Sequence, residues 1–147
     1  MIIRPYRPDD RREWLRMRRT LWPDIPARDA EVREADEWLS RKDAAVIIAQ
    51  REGEDGLVGF AEVGERPYAD GCDTSPVAFL EGWYVDSHIR NQHVGKTLIE
   101  AVEAWARING YRELASDSLL EEIAAHKAHL AVGFEEVERA VRFRKAL

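Results

Sequence analysis

The chain of 147 residues carries a single cysteine, Cys72, so no disulfide can form within it and its stability must come from a packed core. It contains no run near the roughly 20 apolar residues that cross a bilayer. Its start, Met1-Ile2-Ile3-Arg4-Pro5, has no long apolar stretch, so no secretory signal is expected. Basic residues are the minority, 22 Lys and Arg against 28 Asp and Glu, for a net charge of −6. A nucleic-acid partner asks for a basic face, which this balance argues against. A negative cleft concentrates cations, although the same charge also serves plain solubility. Internal repeats, low-complexity tracts and linkers are missing too. Together these absences describe a soluble, cytoplasmic chain without a membrane or nucleic-acid partner.

What is present is enough for one compact domain over residues 1–147. Apolar residues make up 45% of the chain, including five tryptophans, which excludes disorder. Met1–Arg4 reads as a short strand. Pro8-Asp9-Asp10 opens a helix with acidic residues in its first turn, carrying Trp14, Met17 and Leu21 on one face until Pro23 and Pro26 stop it. A helix over Ala27 to Ser40 buries Val32, Ala35 and Leu39. Ala44–Gln50 and Leu57–Val63 read as strands joined by a turn at Gly53-Glu54-Asp55-Gly56. A loop over Glu65 to Pro76 leads to a strand at Val77–Val85. A helix over Val94 to Asn109 turns Val94, Leu98, Val102 and Trp105 inward and ends at Gly110. A strand at Arg112–Ser116 and a helix from Leu119 to Val132, closed by Gly133, follow. Phe134–Val137 and Arg139–Arg144 read as a closing hairpin. This order implies an α/β fold, a mixed sheet with helices on both faces.

The stretch Phe79-Leu80-Glu81-Gly82-Trp83-Tyr84-Val85-Asp86-Ser87-His88-Ile89-Arg90-Asn91-Gln92-His93-Val94-Gly95-Lys96 runs from strand through polar loop to helix start. A helix N-terminus offers free N–H groups and a positive dipole end, a setting for phosphate. Arg90 and Lys96 add charge, and Gly95 allows close approach to the backbone. The stretch resembles the acetyl-CoA loop of the GCN5-related N-acetyltransferases, whose pattern is Arg/Gln-x-x-Gly-x-Gly/Ala. Here it reads Arg90-Asn91-Gln92-His93-Val94-Gly95, with His93 at the first glycine. His129-Leu130-Ala131-Val132-Gly133-Phe134 resembles the family's late helix, with His129 where tyrosine often stands and Glu122 where asparagine often stands. The resemblance implies a mostly antiparallel sheet with a splayed strand pair at the acetyl-CoA site. It places the cosubstrate against Trp83, Tyr84, Val85, Arg90, Gln92, His93, Val94, Gly95, Lys96, Thr97 and His129.

Within that family the chain is similar, over its whole length, to the aminoglycoside 6′-N-acetyltransferases, which confer antibiotic resistance. The landmarks are Leu21-Trp22-Pro23, Tyr68, Gly71-Cys72-Asp73-Thr74-Ser75-Pro76-Val77, Phe79-Leu80-Glu81-Gly82, Ala115-Ser116-Asp117 and Gly133-Phe134-Glu135-Glu136. The resemblance implies that Trp22, Tyr68, Glu81 and Asp117 line the aminoglycoside site. Asp73 and Glu136 are further carboxylates able to pair with its ammonium groups, while Trp22 and Tyr68 offer rings to sugar faces or cations. Each also has an ordinary reading: Trp22 as a hydrophobic cap, Tyr68 as a loop residue, Asp73 as a turn former and Glu136 as a solvated charge. Glu81 inside an apolar strand and Asp117 at the end of another are costlier to explain as structure alone.

Only a free amine attacks a thioester, so Glu81 is expected to act as general base and Asp117 to pair with the ammonium group. Val85, where the family's strand splays, is expected to offer its N–H to the developing oxyanion. His129 can protonate the departing thiolate or simply pack, and Phe143 stands where related enzymes carry tyrosine. His126 and His129 lack the further ligands of a metal site, and Cys72 lacks a paired histidine. The family implies a homodimer in which C-terminal strands take part, here Ala140–Arg144. Two alternatives stand beside this reading: acetylation of another amine, such as a polyamine or a protein, or an aminoglycoside-binding module without catalysis.

Overall fold

In a computed structural model, the structure describes residues 1–25, 28–53, 56–90 and 92–147. Strands β1 (Ile2–Pro5), β2 (Ala44–Gln50), β3 (Leu57–Arg66), β4 (Val77–Val85) and β5 (Leu114–Ser116) form one sheet in the order β1-β2-β3-β4-β5. Neighbours are antiparallel except β4 and β5, which run parallel. Helices α1 (Arg11–Leu21) and α2 (Arg28–Ser40) join β1 to β2, α3 (Val94–Ile108) joins β4 to β5, and α4 (Ile123–Ala131) follows β5.

Strand alternation divides the apolar residues between two cores. Ile47, Ala49, Val58, Ala61, Val63, Ala78 and Leu80 pack with Val94, Leu98, Ile99 and Val102 of α3. Val46, Ile48, Leu57, Phe60 and Tyr84 pack on the opposite face with Trp14 and Met17 of α1 and Ala35 of α2. The sheet is thus covered on both faces, as the element order predicts. The stripes expected on α1 and α3 are the ones that face inward, and Gly110, at φ +83°, closes α3 in a left-handed conformation. Among the described residues no helix is long and apolar enough to cross a membrane.

Four expectations need correction. In α2 Leu39 is exposed, while Trp38 packs on the core beside Ala35, since the helix turns its indole rather than the leucine toward the sheet. β3 runs three residues past Val63, through Gly64 and Glu65 to Arg66, because β4 pairs along that whole length. Residues 119–122 form a turn, so α4 starts only at Ile123. The expected closing hairpin is not formed: among the described residues, 134–147 pair with no strand, and Val137, Val141 and Phe143 stand exposed. Alternating residues make a strand only when a sheet edge or partner satisfies their backbone. The expected start of α2 at Ala27 and the centre of the turn at Glu54-Asp55 lie outside the described residues.

Candidate active site

The register of β3 and β4 builds the site. Val63 pairs with Leu80 and Glu62 with Gly82, so Glu81 is an extra residue on β4, a β-bulge. Leu80 belongs to the α3 core, whereas Gly82 faces Trp22 and Leu21 at the end of α1. The bulge therefore places Glu81 and Gly82 consecutively on the α1 face. A Cβ on Gly82 would come within 2.7 Å of the Trp22 ring, so only glycine lets that indole lie beside Glu81. Trp22 is held from below by Arg18, whose guanidinium carbon is 4.8 Å from the Trp22 ring and 5.0 Å from that of Trp14. Arg18 in turn bonds the buried Glu62 through Nε at 2.6 Å and Nη2 at 3.1 Å, and Trp14 Nε1 donates to the same carboxylate at 3.1 Å. Burial pushes the Glu62 carboxyl up, against the pull of Arg18 and Trp14.

Glu81 itself is partly exposed and paired with Arg66, whose Nη2 contacts both carboxylate oxygens. Sequence reading missed Arg66 because the apolar alternation of β3 ends at Val63. It missed Arg18 as well, although Trp14, Arg18 and Trp22 at i, i+4 and i+8 lie on one helix face.

On its other edge β4 is open. β5 pairs with it only as far as Leu80 opposite Ser116, and β4 continues to Val85 with no strand there. The bond from Asp86 N to Val58 O makes Val85 and Gly59 a non-hydrogen-bonded pair. The Val85 N–H and C=O therefore point away from β3, into the opening, and Arg90 Nε donates to the Val85 carbonyl at 3.0 Å. Trp83, two residues back, shares that backbone orientation, and its indole Nε1 donates to Gly95 O at 3.2 Å in the first turn of α3. A Cβ on Gly95 would approach the Trp83 ring to 3.2 Å. Tyr84 turns the other way: its ring is buried in the α1 core and its hydroxyl donates to Asp86 Oδ1 at 2.9 Å.

At the start of α3, His93 adopts a left-handed backbone (φ +62°, ψ +9°). That is the conformation a glycine takes without strain, and a side chain there costs about 1–2 kcal/mol. Val94 is buried in the core, while Gln92, Lys96 and Thr97 are exposed around the first turn, whose N–H groups have no partner within the helix. Asn91 lies outside the described residues. His129 stands edge-on to Trp83 with ring centroids 5.4 Å apart. Its Nδ1 lies 2.7 Å from Ala125 O and so must donate, leaving Nε2 to face the Ser116 hydroxyl at 2.9 Å.

The remaining acids are less enclosed than expected. Asp117 lies just past β5, 53% exposed and 3.5 Å from Arg142, so the cost of burying a carboxylate does not apply to it. Glu136 is exposed, and Arg139 holds its carboxyl below the usual range. Tyr68 is exposed on the loop after β3. Asp73 does not support its own turn. Glu113 does so from before β5, with Oε1 accepting from Asp73 N at 2.8 Å, Thr74 N at 2.7 Å and Thr74 Oγ1 at 2.6 Å. Burial and Glu113 push the Cys72 thiol up, away from nucleophilic character. His126 Nε2 is satisfied by Leu119 O at 2.8 Å, and among the described residues no group of three potential ligands gathers for a metal.

Known proteins resemble this chain along nearly its whole length. The model of the acetyltransferase (GNAT) family matches residues 11–134. An aminoglycoside N(6′)-acetyltransferase type 1 of Stenotrophomonas maltophilia is 47% identical, over 99% of this chain and 93% of its own length. Among solved structures, an aminoglycoside 6′-N-acetyltransferase of Acinetobacter haemolyticus superposes with a TM-score of 0.91 at 33% identity, covering 100% of this chain and 99% of the other. AAC(6′)-Iy, in complex with a bisubstrate analogue joining CoA to acetylneamine, superposes with a TM-score of 0.89 at 39% identity, covering 99% of this chain and 98% of the other.

Proposed function

This chain belongs to the acetyltransferase (GNAT) family, and from that membership we propose that it transfers the acetyl group of acetyl-CoA to the 6′-amine of aminoglycosides, so conferring resistance. The observation that carries the reading is end-to-end likeness to relatives named for this activity. The site fits it: a carboxylate re-aimed by a bulge stands on one face of β4, and an open backbone edge lies beside the start of α3.

Acetyl-CoA supplies an activated acetyl thioester. Trp83, Val85, Arg90, Gly95, Lys96, Thr97 and the exposed N–H groups after His93 are the residues to hold it. Gln92 and His129 border the same opening. Tyr84 contributes through the core rather than by contact, since its backbone serves β3 and its ring faces α1. Glu81 takes the proton of the substrate ammonium. The amine nitrogen then bonds the acetyl carbon, the carbon–sulfur bond breaks, and the sulfur leaves as a thiolate, which departs readily at a reference pKa of about 8.5, while the nitrogen's second proton passes to that thiolate or to solvent. The Val85 N–H donates to the carbonyl oxygen as it gains charge; such a donor is typically worth about 3 kcal/mol. Trp22, Tyr68, Asp73, Asp117 and Glu136 surround the polycation, Trp22 being the one fixed from below by Arg18.

The protein acts as a single domain over residues 1–147, in the cytoplasm where acetyl-CoA is supplied, and as a homodimer. The unpaired residues 134–147, with Val137, Val141 and Phe143 exposed, supply the surface that a second copy covers. Light scattering at micromolar concentration checks this, a monomeric mass being the refuting result.

The deciding experiment follows free thiol released from acetyl-CoA with kanamycin or tobramycin, beside an analogue carrying hydroxyl at 6′. Turnover of the first two alone supports the reading. Equal turnover of all three assigns another amine, and acetyl-CoA that neither turns over nor raises Tm removes the enzyme altogether.

A further inference from the structure

The carboxylate that the proposed function gives to the substrate is already occupied by a cation of the chain itself. Arg66, the last residue of β3, reaches Glu81 through Nη2, at 3.0 Å from Oε2 and closer to Oε1. Its guanidinium carbon lies 3.4 Å from the centroid of the Phe79 ring. Two features make this contact exchangeable. It spans both oxygens from one nitrogen, without the two parallel N–H bonds that make an arginine–carboxylate fork strong. Arg66 is also 44% and Glu81 22% exposed, so water competes for both charges. The Phe79 face gives the guanidinium a second contact that does not involve Glu81.

Resting on the acetyltransferase reading, we propose that Arg66 is a specificity-determining residue, a resident cation that the substrate's ammonium group displaces from Glu81. The exchange is a near-balanced swap of one positive charge for another. Acetylation then alters one side of it. The nitrogen gives one proton to Glu81, gains a bond to carbon, sheds a second proton to the departing thiolate or to solvent, and leaves as a neutral amide. It can no longer compete with the guanidinium once Glu81 has lost that proton to solvent. Arg66 therefore returns to Glu81, so the pair is broken only while a charged amine is bound. The site discriminates by charge at one nitrogen, a difference that shape alone would register only weakly.

The test compares wild type with Arg66→Met, which keeps an unbranched side chain and removes the charge, and with Arg66→Lys, which restores it. For kanamycin, Arg66→Met should lower KM about two- to fivefold, the worth of an exposed ion pair. It should leave the inhibition constant of 6′-acetylated kanamycin nearly unchanged, because Arg66 and Glu81 stay paired beside the neutral amide, and Arg66→Lys should return KM toward wild type. A general loss of structure would raise both constants, and Tm verifies that the variants fold. Calorimetric binding of kanamycin in a Glu81→Gln background should show no effect of Arg66→Met, because the carboxylate charge is the object of competition. A higher KM in Arg66→Met overturns the proposal, as does an unchanged ratio of product to substrate affinity or an equal effect in the Glu81→Gln background. If wild type binds kanamycin without turnover, the function is wrong, while the exchange is still read by calorimetry on Arg66→Met. If wild type does not bind kanamycin at all, both fail.

Discussion

Two carboxylate–arginine pairs sit on the same face of the sheet, on adjacent strands, and differ in almost every respect. Glu62 and Arg18 are 1% and 5% exposed, joined through Nε and Nη2 and closed over by Trp14 and Trp22. Glu81 and Arg66 are 22% and 44% exposed and joined through a single nitrogen. Burial makes the first pair permanent: neither partner can leave without stranding the other in an apolar setting. Exposure makes the second pair replaceable, which is what a site for cations requires. The same two residue types thus build a wall in one place and a socket in the other, and the bulge decides which carboxylate goes where.

The contrast is sharpest if each carboxylate is made an amide. Glu81→Gln should lower kcat at saturation by about 10²–10⁴-fold, the usual share of a general base, with Tm unchanged. Nearly full turnover would make Glu81 a binding residue only. Glu62→Gln should do the reverse, costing about 3–5 kcal/mol of stability by leaving the buried Arg18 with only its long contact to Glu34, at 3.4 Å, measured by urea unfolding. Its effect on KM then reports how far Trp22 depends on Arg18. A cost below about 1 kcal/mol would show that the stack of rings holds without the charge.

Much of this molecule is legible in its sequence, and the limits have physical causes. The stripes of α1 and α3 and the strand, loop and helix over 77–108 rest on short-range periodicity, which a sequence displays directly. The bulge at Glu81 does not, because Phe79-Leu80-Glu81-Gly82-Trp83 reads equally well as unbroken alternation and only pairing with β3 reveals the extra residue. Glu113 holding the loop at 73–74 is a contact across about 40 positions, which no local pattern announces. Asp117 looked enclosed because it was read as the end of an apolar strand; the strand is three residues long and partly exposed, and Asp117 lies beyond its end.

Two further pairs extend the series to intermediate and slight effects. Arg4 grips Asp10 with two bonds of 2.8 Å, and Arg7 N adds a third at 2.7 Å. These hold the Asp10 carboxyl below its usual range, Arg4 being the larger cause. Its contribution to stability is therefore complete above about pH 4 and lost as pH falls through the lowered value of the folded state. Asp10→Asn should cost about 1–3 kcal/mol at neutral pH and flatten the acid limb of the unfolding curve. An unchanged acid limb would place that proton uptake elsewhere. Asp117 and Arg142, at 53% and 79% exposure, form the weakest pair. Asp117→Asn should leave stability within about 0.5 kcal/mol and raise KM for the aminoglycoside with little change in kcat, as loss of uniform binding does. An equal fall in kcat would move Asp117 into the chemistry.

The bulge also sets the phase of β4, much as an inserted base sets a reading frame. Upstream of Glu81 the even-numbered residues Ala78 and Leu80 face α3; downstream it is the odd-numbered Trp83 and Val85. Were Glu81 to pair in the ladder with no bulge, everything after it would be rotated by half a turn. Trp83 would then point at α1, Tyr84 at α3, and the N–H of Val85 would swing from the open edge toward β3. Losing the bulge while keeping Glu81 would act as a structural frameshift, whereas deleting Glu81 itself would remove the base and leave the residues after it on the faces they now occupy.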